Sequence, residues 1–246
     1  MVLGYEKAFT DQFFGGVTLG YSNAPFDLDN HQGTVEYDAW ALSAFASHTF
    51  GAFYANALAT YSWLDFESRR NIALGPFITR EQGETNGNQF GVKGQLGYTF
   101  TSGNIVHGPL IGLAWERATV NGFSEQSSSV TAMTFGDQTR ESLRSRIGWQ
   151  IATATSWSGV ILRPYAQLTY DYEHLDDART YRAGFVGGSS ALEIATANQT
   201  GGYGTLLVGV DADLTKTLRL GLCASTTINQ PDAHNSAISV TLGAAF

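Results

Sequence analysis

The stretch that decides the fold is the last one, Ile238-Ser-Val-Thr-Leu-Gly-Ala-Ala-Phe246, in which apolar residues alternate with small or polar ones. Successive side chains of a β-strand point to opposite faces. One face of this strand therefore carries the apolar set, which is Ile238, Val240, Leu242, Ala244 and Phe246. The pattern indicates a strand with one face against hydrocarbon and the other toward a crowded or wet interior. The alternative is the edge strand of a soluble β-sandwich.

The composition excludes several classes of protein. No stretch approaches the roughly 20 apolar residues of a membrane-spanning helix, and the mean hydropathy of the 246 residues is −0.10. A membrane barrel stays possible, because its strands distribute their apolar residues in alternation. A net charge of −8 argues against binding to nucleic acid. The single cysteine, Cys223, cannot form an internal disulfide, and the sequence indicates neither a metal site nor a cofactor.

Period-two alternation predicts about eleven strands, most of them longer than the five or six residues usual in soluble sheets. In the predicted strand 86–100, Phe90, Val92 and Leu96 alternate with Lys93 and Gln95. The predicted strands are 2–9, 13–23, 36–48, 52–66, 86–100, 105–119, 138–155, 159–173, 202–214, 216–227 and 237–246.

The connections between these strands alternate strictly between short and long. The long ones are 24–35, 67–85, 120–137 and 174–201. Tight turns on one side and long loops on the other are typical of an outer-membrane meander, whereas a Greek-key sandwich has no reason to sort its loops in this way. We therefore predict an all-β, antiparallel, up-and-down transmembrane β-barrel.

The same parity orients the chain. If the short turns are periplasmic, Phe246 ends in the periplasm and the first strand begins outside. An unpaired strand edge in lipid costs several kcal/mol for each unsatisfied group. We therefore expect a complete domain of twelve strands, of which about eleven lie in residues 1–246. The chain opens at Met1 in strand-like sequence without a signal peptide, so we expect it to be a fragment that lacks the first strand.

Three loop-flanking segments resemble one family. They are Leu64-Asp-Phe-Glu-Ser-Arg-Arg-Asn-Ile-Ala-Leu-Gly75, Gly83-Glu-Thr-Asn-Gly87, and Val120-Asn-Gly-Phe-Ser-Glu125 followed by Phe135-Gly-Asp-Gln-Thr-Arg140. Together with the C-terminal Phe, they resemble the translocator domain of classical type V autotransporters, most of all that of the esterase autotransporters with a GDSL-lipase passenger. The resemblance runs over most of the chain. It implies a barrel that closes around an N-terminal helix, and we expect residues 1–246 to lack this helix as well as the first strand.

The resemblance implies a translocator or anchor in the outer membrane of a Gram-negative bacterium, which exports or displays an N-terminal passenger. It also implies its partners: the lipid bilayer, the chain's own passenger and linker helix, and the outer-membrane assembly machinery. That machinery would read the apolar row ending at Phe246. The chain has no Gly-Asp-Ser-Leu block and no Gly-x-Ser-x-Gly elbow. We therefore expect no enzymatic activity in this chain and assign any esterase activity to the passenger.

Strand parity predicts which charged side chains line the lumen. They are Lys93, Glu116, Arg140, Arg144, Arg146, Arg163, Asp171 and Glu173. Charges there must be paired or hydrated. The row either grips the linker helix and lets a chain pass, or forms a ladder of ion pairs that holds the barrel round. Parity also predicts that Thr169, on the luminal row, tolerates replacement by Arg far better than the lipid-facing Leu168 does.

Two further membrane functions stay open at this stage. One is a small diffusion pore. The other is an enzyme barrel, for which His174 at the start of a long loop, beside Asp176 and Asp177, is a candidate base. An enzyme would also need a nucleophile converging on the same face, and the sequence shows none. The sequence upstream of Met1 would separate these alternatives.

Overall fold

The computed structural model describes seven stretches of the chain. They are residues 1–28, 32–127, 129–175, 180–188, 190–195, 201–230 and 235–245. Within them the chain forms seventeen β-strands. These are β1 Val2–Ala8, β2 Phe13–Leu28, β3 Gly33–Phe50, β4 Phe53–Leu74, β5 Phe77–Tyr98, β6 Phe100–Ser102, β7 Ile105–Val120, β8 Phe123–Ser124, β9 Met133–Phe135, β10 Gln138–Thr153, β11 Thr155–Trp157, β12 Val160–Glu173, β13 Thr180–Phe185, β14 Ala191–Ala195, β15 Gly202–Asp213, β16 Leu218–Ile228 and β17 Ser236–Ala244. No helix of the described residues is long and apolar enough to cross a membrane.

One antiparallel sheet contains all eleven of the predicted strands. Its order is β1-β2-β3-β4-β5-β7-β10-β12-β15-β16-β17, so each strand lies beside its neighbours in the chain; the short β6 and β11 pair with β7 and β12. This order is the predicted up-and-down meander. The soluble sandwich is wrong, because a sandwich needs two facing sheets and these strands form a single one.

The long connections depart from the predicted loops. Residues 67–85 continue β4 and β5 as a hairpin, in which Leu74 pairs with Phe77 across a turn with Gly75 at a φ of 62°. Next to its apolar tip, charged residues such as Arg69 and Arg70 stand on both faces, so the alternation that marks the membrane strands is missing there. Parts of 120–137 and 174–201 form a second, four-stranded sheet with the order β14-β13-β9-β8.

The two faces of the main sheet differ in chemistry. On one face large apolar side chains stand exposed, among them Val17, Leu42, Val92, Ile111, Leu168, Val208 and Leu222. On the other face lies a cavity of about 480 Å³, whose lining includes Phe14 of β2 and Asp171 of β12. Strands far apart in the sheet order share this cavity, so the sheet curls and the cavity side is concave. We call the concave face the inner wall and the convex face the outer wall.

Aromatic side chains gather at two levels of the outer wall. Near the short turns, the Phe53 ring packs 4.8 Å from that of Tyr98, which lies 4.8 Å from Phe100. Toward the long connections, Tyr21 packs 5.0 Å from Trp40. Such girdles border the apolar band of outer-membrane barrels, because amphipathic rings suit the headgroup zone.

Candidate functional site on the inner wall

The register of the sheet gives the long inner-wall cations room. Arg144 pairs with Ala114, which pairs on its other side with Lys93, and Arg146 pairs with Gly112. Long side chains thus lie beside small ones on the neighbouring strand. Lys93, Arg144, Arg146 and the two small residues all line the cavity.

Asp171 is a buried carboxylate on this wall with three bonded partners. Its side chain is 1% exposed, and its Oδ1 accepts a hydrogen bond from Arg146 Nε at 2.6 Å. Its Oδ2 accepts bonds from the hydroxyls of Thr169 at 3.1 Å and Thr205 at 2.9 Å. Asp171 is thus the ion-pair partner of Arg146. Thr169 is 4% exposed and donates to this carboxylate, so an Arg at position 169 would break this bond and would have to displace its neighbours.

Arg144 and Glu173, which lie beside this ion pair, form hydrogen bonds with uncharged groups. Arg144 Nη1 donates to the Tyr203 hydroxyl at 2.8 Å. Glu173 accepts from the Ser142 hydroxyl and, at 2.8 Å, from the backbone N–H of Leu143. Glu173 is the last residue of β12. The backbone N–H groups of Leu143 and Leu175 both donate to its carboxylate there.

The remaining predicted residues are spread along the wall. Arg163 pairs with Asp213 at 2.6 Å, and Arg219 also reaches that carboxylate, at 2.9 Å. Glu116 accepts a hydrogen bond from the side-chain amide of Gln89. Two further predicted members are exposed, and these are Lys93 and Arg140. Within the described ranges no carboxylate lies within ion-pair distance of Lys93.

Sequence reasoning missed two of these partners. Tyr203 and Asp213 both lie on β15, where the register pairs Tyr203 with Asp171 and sets Asp213 opposite Arg219. Their parity along the strand could have assigned both to the inner wall. Among the described residues, no group of three or more His, Cys, Asp or Glu side chains could hold a metal ion.

The predicted assembly row lies along β17 on the outer wall. Ile238, Val240 and Leu242 are exposed, and Val240 pairs with the outer-wall Leu222. Ala244 ends the strand. Phe246 lies outside the described residues, and the role of the row as an assembly signal stays a prediction.

A Ser–His contact that the sequence did not reveal occurs on the outer wall. His174 Nε2 lies 2.8 Å from Ser145 Oγ, and the imidazole packs edge-on against Tyr172 at 5.1 Å. Asp176 and Asp177 fall outside the described residues. A serine nucleophile also needs donors for the oxyanion, and a Ser–His hydrogen bond alone does not supply them. The contact is a hydrogen bond at the rim of the outer wall.

The family is decided by comparison with known proteins. The chain matches the model of the family described as "Autotransporter beta-domain" over residues 1–225. The chain belongs to this family. Its fold is similar to that of the translocator domain of autotransporter NalP from Neisseria meningitidis, with a TM-score of 0.76 and 15% identity, covering 100% of this chain and 78% of that one.

Two curated relatives are similar in sequence. Esterase EstA of Pseudomonas aeruginosa is 26% identical over 183 residues, which are 73% of this chain and 28% of that protein. Lipase 1 of Photorhabdus luminescens is 26% identical over 175 residues, which are 71% of this chain and 26% of that protein. The chain thus spans less than a third of the length of these relatives.

Membership of the family gives the role and the location of the domain. An autotransporter beta-domain is an outer-membrane translocator of Gram-negative bacteria, and that is the role of this chain. The translocator fold is not itself catalytic. The exposed apolar outer wall and the polar inner wall fit this role, because a membrane barrel needs an apolar surface toward hydrocarbon and a polar one toward its lumen.

Proposed function

We propose that residues 1–246 form the wall of a translocator that is completed by one further strand and by a helix leading to an N-terminal passenger. The further strand would pair with the free edges of β1 and β17, whose backbone groups need partners in lipid. The surrounding partners would be the lipid bilayer and the outer-membrane assembly machinery.

The observation that carries this proposal is the charged lining of the cavity. Lys93, Arg144 and Arg146 all line it, and the register places the two arginines two strands from Lys93 on the same part of the wall. Cations facing a confined space require acidic or hydrated partners. A linker helix with acidic or amide side chains would supply them, and so would the polar backbone of a chain in transit.

We further propose that the passenger is an ester hydrolase. The curated relatives named as an esterase and a lipase align with this chain over about a quarter of their own length. Any activity would then lie in residues outside 1–246, since the wall carries no complete catalytic constellation among its described residues.

The test uses the full-length protein in Gram-negative cells. Intact cells should hydrolyse an ester that cannot cross the outer membrane, and added protease should remove that activity. Deletion of residues 1–246 should leave the activity inside the periplasm. Surface activity that survives this deletion would refute the translocator role, whereas display of a passenger without ester hydrolysis would refute only the passenger class.

The docking role of the inner wall has its own test. Arg144→Gln combined with Arg146→Gln should loosen the linker helix and raise the single-channel conductance of the complete translocator in planar bilayers. Arg163→Gln is the matched control, because Arg163 lies on the same wall but pairs with Asp213 away from the cavity. Equal conductance of the double variant and the folded control would mean that Arg144 and Arg146 only brace the wall.

A further inference from the structure

The described residues of the segment 121–135, which are 121–127 and 129–135, lie between β7 and β10 and fold onto the inner-wall side of the long hairpin. Arg70, Glu81 and Gly83 face this segment, and the unbroken register of β4 with β5 puts them in the same row as Lys93. Lys93 lines the cavity. The segment therefore lies on the lumen side of the hairpin, beyond the outer end of the cavity.

An ion pair ties the segment to the hairpin. Arg70 Nε and Nη2 donate to the two carboxylate oxygens of Glu125 at 3.0 and 2.7 Å, and Nη2 also donates to the Thr131 carbonyl at 3.0 Å. The Glu125 side chain is 1% exposed. The same carboxylate accepts the backbone N–H of Met133 at 2.7 Å, so the pair also fixes the end of the segment that forms β9.

A second carboxylate shares this buried site. Glu81 is fully buried, and one of its oxygens accepts the Thr131 hydroxyl. Its other oxygen, Oε2, has no hydrogen-bond partner. The Thr131 hydroxyl bond lowers the pKa of the Glu81 carboxyl against the opposing effect of burial. Thr131 joins the two carboxylates, because its carbonyl accepts from Arg70, the partner of Glu125, and its hydroxyl donates to Glu81. The charge of Arg70 also lowers the pKa of Glu81, by less than the Thr131 hydroxyl does.

Close packing completes the contact. A Cβ on Gly83 would lie 2.4 Å from the Phe123 ring, so only glycine lets this ring lie against β5. The Phe123 ring stacks on Phe135 at 4.9 Å. Because β9 pairs with β13, the connection between β12 and β15 is attached to the same unit. Whatever holds 121–135 against the hairpin therefore holds the second sheet as well.

We propose that Arg70, Glu81 and Glu125 form a clasp that holds segment 121–135 and the second sheet as a lid at the external mouth of the translocator. With the clasp closed the lid narrows the mouth, and breaking the clasp releases it outward. The inference rests on the proposed function, because a lid has a role only on a barrel through which something passes.

The test replaces one of two adjacent arginines in the full-length protein. Arg70→Gln breaks the clasp, whereas the matched control Arg69→Gln removes an arginine on the outer wall that pairs with the exposed Glu36 and Glu67. Protease added to intact cells should cut within 121–135 about tenfold or more faster in Arg70→Gln, because the buried Glu125 carboxylate loses its ion-pair partner and the closed lid is destabilised. Single-channel conductance should rise in parallel. Arg69→Gln should behave as wild type in both measurements.

Restoration of the pair separates a clasp from a general loss of structure. Arg70→Glu combined with Glu125→Arg should recover part of the protection that either single change loses. If Arg70→Gln shows the same rate of cleavage and the same conductance as Arg69→Gln, the proposed lid is wrong. Passenger display is scored in the same cells, so that a failed lid with intact display contradicts only this inference, and absent display in the wild type contradicts the translocator role.

Discussion

Val92 and Lys93 are adjacent residues of β5 on opposite walls, and they allow one side chain to be tested in both environments. Val92 is 38% exposed on the outer wall, in register with Ala59 and Trp115. Lys93 lines the inner cavity. Val92→Arg and Lys93→Arg therefore introduce the same guanidinium one residue apart, the first toward lipid and the second toward the lumen.

The depth of Val92 in the apolar band determines how much Val92→Arg should lower the free energy of unfolding. Counted along β5, it lies about 13 Å from Asn88, which pairs with Trp63 of the upper aromatic level, and about 20 Å from Tyr98 of the lower level. It is therefore near the middle of the apolar band, where an outward Arg costs about 2–4 kcal/mol. Loss of the lipid contact of the Val side chain adds about 0.5 kcal/mol. Lys93→Arg keeps the charge and should change the free energy of unfolding by less than about 0.5 kcal/mol.

The assay is reversible denaturant unfolding of the complete translocator domain in lipid vesicles, read by tryptophan fluorescence. A lower transition midpoint at an unchanged denaturant slope reports lost stability without a change in the surface exposed. Equal destabilisation by both variants would refute the assignment of the two walls. If Val92→Arg lowered the free energy of unfolding by less than about 1 kcal/mol, Val92 would not lie near the middle of the apolar band.

Three further results are expected. Arg146→Gln should destabilise the barrel by about 3 kcal/mol or more by stranding Asp171, and adding Asp171→Asn should recover most of this loss in the same unfolding assay. The pKa of the Glu81 carboxyl is lowered from its ordinary value of 4.5. At a pH above 4.5 the ionised carboxylate therefore contributes stability to the closed lid. That stabilisation is lost as the pH falls through the lowered pKa, so pH-corrected hydrogen exchange in 121–127 should rise on acidification, and Glu81→Gln should flatten this dependence. Phe246→Ala should reduce the outer-membrane yield in cells while refolding in detergent is unchanged; the opposite pair of results would contradict an assembly signal.

The membrane-spanning part of the fold was predictable from the sequence because its physics is periodic. Alternation such as that of Phe90 and Val92 with Lys93 is imposed by lipid on one wall and water on the other. The outer half of the β4–β5 hairpin lies beyond this constraint. Arg70 and Glu81 there are polar residues of a buried contact, so the alternation that identifies a membrane strand gives no signal.

The sequence predicts which charged side chains lie on the inner wall, but it does not predict which of them form pairs. Parity assigns Arg144, Arg146 and Asp171 to one wall, whereas the choice of Tyr203 for one arginine and Asp171 for the other depends on the stagger between strands. A shift of register by two residues would keep every side chain on its face and change every pair. The clasp was missed for a related reason, although Arg70, Gly83, Phe123 and Glu125 all lie in the segments that carry the family resemblance.

The sequential order of the main sheet has a consequence for how the barrel forms. Each of the eleven strands pairs with its neighbour in the sheet order, which follows the chain, so the sheet can grow hairpin by hairpin and the longest connection to close is 174–201. Joining β1 to β17 through a further strand is different, because it closes a loop of about the whole 246 residues. The chain entropy lost in that step is about 5 kcal/mol. The slow, non-local event in folding is therefore closure of the cylinder, and a factor that holds its two ends close together would accelerate that step more than any other.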